Sequence, residues 1–177
     1  LAITRHASDT YPQAATDNRL TRRLIDYRNK DGLIEALEGA DAAIHLVAKT
    51  HARDCLSELD EYRAVNVGIS EQVAAAARQA NVKRLVFLSS IKVNGESTTT
   101  QPFRSSDQPA PTTAYGISKL EAEQALALQC GETVELVILR PPLIYSANAK
   151  GNIASLKKAI KKRWPLPLGG LHDNRRS

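Results

Sequence analysis

Short apolar stretches alternate with amphipathic ones along the chain. The apolar stretches predict strands at residues 1–4, 22–27, 41–48, 82–90 and 132–140. The last three are nearly continuous apolar runs, a pattern typical of strands that are covered on both faces. Strands that alternate with helices predict right-handed βαβ units and a parallel sheet. The predicted fold class is therefore α/β.

The segments between the apolar stretches have helical spacing. The first, residues 31–39, ends at Gly39, a residue that suits a helix C-terminus. A longer helix is predicted over 57–81, and Asn66 lies on its apolar stripe. A buried amide needs hydrogen-bond partners, or it costs a few kcal/mol. Two interpretations stay open for Asn66, a partly exposed asparagine or a structural role beneath a site.

Composition and charge exclude several classes of protein. The chain has 177 residues, 42% hydrophobic and 24% charged, with a net charge of +5. No apolar run approaches the roughly 20 residues that cross a bilayer, so we expect no membrane partner. Basic residues cluster at 157–164 and 174–177 without aromatic interleaving, so we expect no nucleic-acid partner. Cys55 and Cys130 lack metal-ligand spacing, which predicts no metal site and a reduced, cytoplasmic protein.

The chemistry that the sequence suggests lies around one serine-ended strand and the helix after it. Ser89 and Ser90 end the predicted strand at 82–90, and a long loop rich in Ser, Thr and Pro follows at 94–114. Ligands bind at the carboxyl ends of parallel strands, so this loop is well placed. The next helix carries four residues on one stripe: Tyr115, Lys119, Ala122 and Leu126.

A lysine one helical turn from a tyrosine changes what the phenol can do. A free phenol has a pKa of about 10, and a nearby cation favours its ionised form. Tyr115 beside Lys119 could then take a proton from an alcohol or return one to a carbonyl. A surface pair is the competing interpretation. Alcohol oxidation also requires a hydride acceptor, so a dinucleotide cofactor is implied.

Five segments in order resemble the extended branch of the short-chain dehydrogenase/reductase superfamily, which includes nucleotide-sugar epimerases and dehydratases. The segment PTTAYGISK is similar to the branch pattern P-x-x-x-Y-G-x-S-K, and FLSSIKVNG to SS-x-x-V-Y-G. DAAIHLVA, LRPPLIY and PLPLGGLHDNRRS resemble three further segments of that branch. The resemblance implies a Rossmann-like, doubly wound parallel sheet.

The resemblance also implies residue roles. Tyr115 would be the acid/base, Lys119 would lower its pKa and hold the nicotinamide ribose, and Ser90 would orient the reacting oxygen. Cofactor contacts are implied for these two helix residues and for Asp26, Tyr27, Leu46, Val47, Ala48 and Pro142. Asp26 could equally be a loop carboxylate, and Leu46 to Ala48 could equally be ordinary strand core.

Further positions are implied for the substrate. Asn152 and Arg176 would meet its pyrophosphate, since forked arginine donors suit phosphate oxygens, while a chain end remains the alternative for Arg176. Asn66 matches a buried helix asparagine of the branch. Asn94 stands where the branch often has tyrosine, which leaves the substrate contacts there open.

The chain departs from the branch at its cofactor loop. None of its nine glycines forms the Gly-x-x-Gly-x-x-Gly turn, and the first stretch resembles the second strand of the 3-2-1-4-5-6 order. Removing the central first strand should split the sheet and expose edges. We therefore expect an incomplete dinucleotide-binding part at 1–145, the start of a substrate-binding part at 146–177, and no activity from this chain alone. Arg5 and His6 stand where the branch commonly has an acidic residue. Arginine there suits the 2′-phosphate of NADP but also occurs in enzymes that use NAD, so NAD is the expected cofactor with NADP left open.

The resemblance favours a UDP-hexose 4-epimerase acting on a nucleotide sugar. One alternative is an NAD(P)-dependent dehydrogenase or reductase of the same branch, acting on a ketone or a hydroxysteroid-like alcohol. Another is a sensor module that binds a dinucleotide without catalysis. A homodimer through the helices at 57–81 and 112–130 is also expected.

Overall fold

The computed structural model describes residues 2–4, 21–50, 56–98, 101–144 and 152–165. The strands within these ranges are β1 Ala2–Thr4, β2 Arg22–Leu24, β3 Ala42–His45, β4 Arg84–Leu88 and β5 Glu135–Leu139. The α-helices are α1 Lys30–Leu37, α2 Leu59–Asn66, α3 Gly68–Gln79, α4 Ala114–Cys130 and α5 Asn152–Lys161. Short 3₁₀ turns cover Leu56–Glu58 and Ile91–Val93. Strands and helices alternate along the chain, which confirms the α/β class.

The described strands form two separate parallel sheets. β1 pairs with β2, and a second sheet has the order β3-β4-β5. In the second sheet Ile44 pairs with Val86, and Val86 pairs with Val137. This is the division expected when no strand stands between the first pair and the last three, so the parallel Rossmann-like arrangement is confirmed and the predicted split is observed.

Local side chains begin the helices. The Asn29 side chain accepts a hydrogen bond from the Gly32 N–H (3.0 Å) and caps α1. Gly39 follows the end of α1 with φ of 73°, the left-handed conformation that its prediction as a helix terminator requires.

The long helix expected at 57–81 is interrupted at Val67, between α2 and α3. The Ser70 hydroxyl donates to the Asn66 carbonyl (2.6 Å), a bond from a side chain to the backbone four residues earlier. Bonds of this kind compete with the helix ladder and bend helices. The interruption lies at this bond, directly after the carbonyl that accepts it.

The described core has two clusters, one joining α1 to α3 and the other on one face of the three-stranded sheet. Leu85 and Phe87 of β4 pack against α3 and α4 with Ala74, Ala122 and Leu126. The opposite face is open among the described residues, since Ile44 is 68% exposed and Leu139 47% exposed. The expectation that these strands are covered on both faces is therefore wrong for the described part of the chain. Their apolar composition reflects two apolar faces, of which one is covered.

α5 has an exposed surface that includes both charged and apolar side chains. Its lysines, including Lys157 and Lys161, are exposed, and so are Leu156 and Ile160. No helix within the described ranges is both long enough and apolar enough to span a membrane.

Candidate active site

Ser90 lies at the carboxyl end of the central strand of the three-stranded sheet. It follows β4 and is the N-cap of the 3₁₀ turn Ile91–Val93, with its hydroxyl accepting a hydrogen bond from the Lys92 N–H (3.3 Å). The side chain is half-buried. The sequence predicted a serine at the sheet edge where ligands bind in parallel α/β folds, and the structure places Ser90 there.

The first turn of α4 packs directly on that 3₁₀ turn. Thr113 caps α4 by accepting a hydrogen bond from the Gly116 N–H (3.2 Å). A Cβ atom at Gly116 would lie 2.8 Å from the Lys92 carbonyl oxygen, so this close approach requires glycine. The helix start that carries Tyr115 therefore contacts the turn that follows Ser90.

Tyr115 itself is half-buried against the aromatic ring of Tyr62. The two ring centroids lie 6.3 Å apart with an interplanar angle of 59°. Tyr62 is fully buried. A tilted aromatic pair of this kind restricts where the phenol of Tyr115 can move.

Lys119 is buried one helical turn after Tyr115. It is 1% exposed, and its Nζ lies 3.8 Å from the centroid of the Phe87 ring on β4. Burial lowers the pKa of Lys119 to about 8, and the negative charge of Glu123 opposes that shift. At neutral pH the side chain is therefore mostly an ammonium ion, held against an aromatic face that attracts cations. The interpretation of Tyr115 and Lys119 as a surface pair is wrong for the lysine.

A chain of buried hydrogen bonds runs beneath α4. His45 Nε2 lies 2.9 Å from the Ser70 hydroxyl, whose own proton goes to the Asn66 carbonyl. The Asn66 amide in turn donates to Ser118 (2.9 Å), and Ser118 donates to the Tyr115 carbonyl (2.9 Å). Because the Ser70 hydroxyl already donates its proton to the Asn66 carbonyl, it can only accept from His45. His45 Nε2 therefore carries a proton and donates it to the Ser70 oxygen. Burial, and then the charge of Lys119, lower the pKa of His45 to about 3, so the ring is neutral at pH 7.

Asn66 is 1% exposed, which decides between the two interpretations that the sequence left open. Its Oδ1 accepts the Lys49 N–H (2.7 Å), and its amide also reaches the Lys49 carbonyl (3.3 Å). Asn66 thus ties the segment after β3 to α2 and α4. The odd amide on an apolar stripe is a structural residue beneath the candidate site.

Several buried polar residues at this edge were missed by the sequence analysis. We define the buried polar layer as the set of His45, Asn66, Ser70, Ser89, Asn94, Ser118, Lys119 and Glu123, each less than 9% exposed. Glu123 had a usable signal, because it lies one turn beyond Lys119 on the buried side of α4. His45, Ser70 and Ser118 gave none, because their pairing depends on contacts between distant segments.

The predicted cofactor residues at the end of β3 leave apolar surface open. Leu46 is 58% exposed, and Val47 and Ala48 are half-buried. Pro142, after β5, is also exposed. Their roles in binding the cofactor stay predictions.

The remaining predicted residues lie elsewhere. Asp26 is exposed and accepts the Arg28 N–H (3.0 Å) in the turn after β2, while Tyr27 packs on the core beside α1. Asn152 begins α5. Arg176, Arg5, His6 and Cys55 lie outside the described residues.

The chain matches the family model "NAD dependent epimerase/dehydratase family" over residues 2–177. It belongs to this family. It is 41% identical over 145 residues to the UDP-glucose 4-epimerase of Vibrio cholerae, covering 80% of this chain and 44% of that protein. It is 33% identical over 145 residues to the N-acetyl-alpha-D-glucosaminyl-diphospho-ditrans,octacis-undecaprenol 4-epimerase of Escherichia coli O157:H7, covering 76% of this chain and 40% of that protein.

A solved relative supports the same fold. The Bordetella bronchiseptica enzyme WbmG in complex with NAD matches with a TM-score of 0.74 and 27% identity, covering 91% of this chain and 51% of that one. The family resemblance and the α/β fold are thereby confirmed, the relatives named here are enzymes, and NAD is confirmed as the cofactor of the family. The chain spans less than half the length of the two curated relatives named above.

Proposed function

We propose that the natural gene product containing this chain is an NAD-dependent nucleotide-sugar 4-epimerase that acts on a UDP-hexose. The observation that carries the proposal is the buried ammonium of Lys119, one turn from Tyr115 and 3.8 Å from the Phe87 ring of β4. Burial of an unneeded lysine would be costly, so this placement favours a role in chemistry at the sheet edge. The relatives in Vibrio cholerae and Escherichia coli, both 4-epimerases by name, support the reaction type.

Tyr115 would take the proton of the C4 hydroxyl and later return it. The charge of Lys119 would favour the ionised phenol, and the Ser90 hydroxyl would hydrogen-bond the same substrate oxygen. When bound, NAD would supply a reversible acceptor for hydride, so a full cycle would leave no net redox product. Lys119 would also hold the nicotinamide ribose, with Leu46, Val47, Ala48 and Pro142 lining the cofactor channel.

The substrate's two phosphates would be met by residues near the end of the chain. Asn152 and Arg176 have the right donors, and arginine's fork matches phosphate oxygens. Asp26 and Tyr27 would contact the adenine side of the cofactor. A homodimer through α2, α3 and α4 is part of the proposal, and the Leu128 side chain on α4, 82% exposed, offers apolar surface for it.

Cofactor balance tests the proposed function. The purified natural gene product would be incubated with UDP-glucose, UDP-galactose and their N-acetyl forms, and both sugar products and NADH would be quantified. We expect interconversion at C4 with retained NAD and no net NADH. NADH formed in proportion to product would instead identify a dehydrogenase, and bound NAD without turnover would identify a sensor.

A further inference from the structure

A buried ion pair lies behind the Tyr115 and Lys119 helix. Arg140, directly after β5, donates from Nε to Glu123 Oε1 (2.9 Å) and from Nη2 to Oε2 (2.6 Å). The Glu123 and Arg140 side chains are 5% and 21% exposed. Buried ion pairs are poor sources of net stability, because both charges lose their hydration. Apolar residues would fill this space at less cost, so the pair calls for another explanation.

The Glu123 carboxylate is bonded to the residue that precedes Ser90. The Ser89 hydroxyl donates to Glu123 Oε1, the same oxygen that Arg140 Nε reaches. The Ser89 N–H also donates to the Leu139 carbonyl of β5 (2.7 Å). Ser89 is therefore fixed through both its side chain and its backbone.

The residues that follow Ser90 are fixed by the same arginine and strand. Arg140 Nη1 donates to the Asn94 side chain (3.2 Å), which itself donates to the Arg104 carbonyl (3.3 Å). The Ile91 N–H donates to the Pro141 carbonyl (3.2 Å). Ser90 is thus held from both sides, and Glu123 joins its segment to the helix of Tyr115 and Lys119.

We propose that Glu123, paired with Arg140, is a positioning residue that holds the Ser90 turn against α4 at the distance the reaction needs. The inference rests on the proposed function. Glu123 acts through Ser89 and Arg140 and has no assigned contact with substrate or cofactor. Small displacements of reacting groups reduce rates steeply, so loss of this tether should lower turnover more than substrate binding.

The same carboxylate has an electrostatic effect on Lys119. The described groups that act on the Lys119 ammonium are Glu123 on the same helix, the neutral His45 ring on β3 and the Phe87 ring on β4, and Tyr115 precedes Lys119 by one turn of α4. Arg140, directly after β5, faces Glu123. Replacing Glu123 by glutamine would remove the anion and leave the arginine cation. The pKa of Lys119 should then fall, and the alkaline limb of the pH profile of kcat should move to lower pH.

Glu123→Gln in the natural gene product tests the proposal, with Glu135→Gln as the matched control. Glu135 also pairs with an arginine, Arg84 (2.7 Å), but at the opposite end of β4 and β5 and exposed to solvent. We expect Glu123→Gln to lower kcat about 10- to 100-fold, with KM and NAD content near wild type. Glu123→Asp, which keeps the charge, should keep the alkaline limb in place. Glu135→Gln should behave as wild type.

A folded Glu123→Gln enzyme with wild-type kcat and pH profile would overturn the proposal. If that variant does not fold, Ser89→Ala, which keeps the ion pair, decides instead: a lowered kcat at unchanged KM supports the tether, and unchanged kcat contradicts it. NMR titration of labelled lysine side chains needs no substrate. This measurement separates the inference from the proposed function. An inactive wild type would end the epimerase proposal, whereas an unchanged pKa of Lys119 in Glu123→Gln would end this inference.

Discussion

The first half of α4, taken as residues 114–123, buries polar side chains beside Ala114 and Ala122, whereas the second half, residues 124–130, buries only Leu126 and Cys130. Ser118, Lys119 and Glu123 in the first half are 0%, 1% and 4% exposed. Leu126 and Cys130 in the second half are 0% and 1% exposed. The second half packs on β4 as ordinary apolar core, whereas the first half faces the carboxyl end of the sheet with hydroxyls, an ammonium and a carboxylate.

This difference separates stability from function within one helix. Apolar burial stabilises the fold by roughly 25 cal/mol per Å², whereas buried polar groups contribute little net stability and demand partners. If stability were the only requirement, we would expect the apolar stripe to continue to the start of α4. The polar first half is therefore the part of the helix that the proposed chemistry requires.

The largest expected effect is that substitutions in the two halves change the free energy of unfolding in opposite directions. Urea unfolding of the natural gene product at pH 7 measures it. Leu126→Ala should lower the free energy of unfolding by about 2–5 kcal/mol, because it leaves a cavity in the apolar core. Lys119→Met should raise the free energy of unfolding by about 1–3 kcal/mol, because it removes a buried charge while Glu123 remains paired with Arg140. The same substitution should abolish epimerisation.

The stabilisation by Lys119→Met should also depend on pH. The pKa of Lys119 is lowered from 10.5 to about 8 in the folded state, so the unfolded state binds more protons between these values. Wild-type stability should therefore rise through that window, and the advantage of Lys119→Met should shrink above pH 10.5. A destabilised Lys119→Met protein would mean that the buried ammonium supports the fold.

A smaller effect is expected for the neutral histidine of the buried polar layer. The pKa of His45 is lowered from 6.5 to about 3 on folding, so between these values the unfolded state binds the extra proton. His45 should therefore remove about 2 kcal/mol of stability as the pH falls from 6.5 to about 5.

His45→Phe should start from lower stability because Ser70 loses its donor, but its stability should fall less over the same pH interval. Unfolding midpoints of wild type and variant across that interval provide the measurement. Parallel pH profiles for the two proteins would mean that His45 does not titrate as a buried neutral group.

The sequence predicted the elements whose signal is local. The apolar runs placed β3, β4 and β5, the stripe of Lys119, Ala122 and Leu126 is buried as expected, and Asn66 was singled out by its position on an apolar stripe. Strand ends were less well defined, since β3 covers Ala42–His45 rather than 41–48. Apolar side chains beyond the end of a strand continue the apolar run in the sequence, although their backbone no longer forms the hydrogen bonds of the sheet.

The rest of the site depends on contacts between distant segments. Glu123 meets Arg140 seventeen residues later and Ser89 thirty-four residues earlier. A charged residue on a helix is most often solvated, so neither partner identifies the other in the sequence. Ser118 is equally hidden, because its role follows from the hydrogen bond that Asn66 donates to it from α2. Only the packing of α4 on β4, β5 and α2 brings these residues together.

Turnover of the Tyr115→Phe variant tests the central claim most directly, with Tyr62→Phe as its neighbouring control. In the natural gene product assayed with UDP-glucose, Tyr115→Phe should lower kcat by about 100- to 10,000-fold, the usual contribution of a general acid/base, while bound NAD stays at the wild-type level. Tyr62→Phe should keep kcat within about tenfold of wild type, because its ring packing remains. A Tyr115→Phe enzyme that interconverts the sugars at close to the wild-type rate would contradict the account.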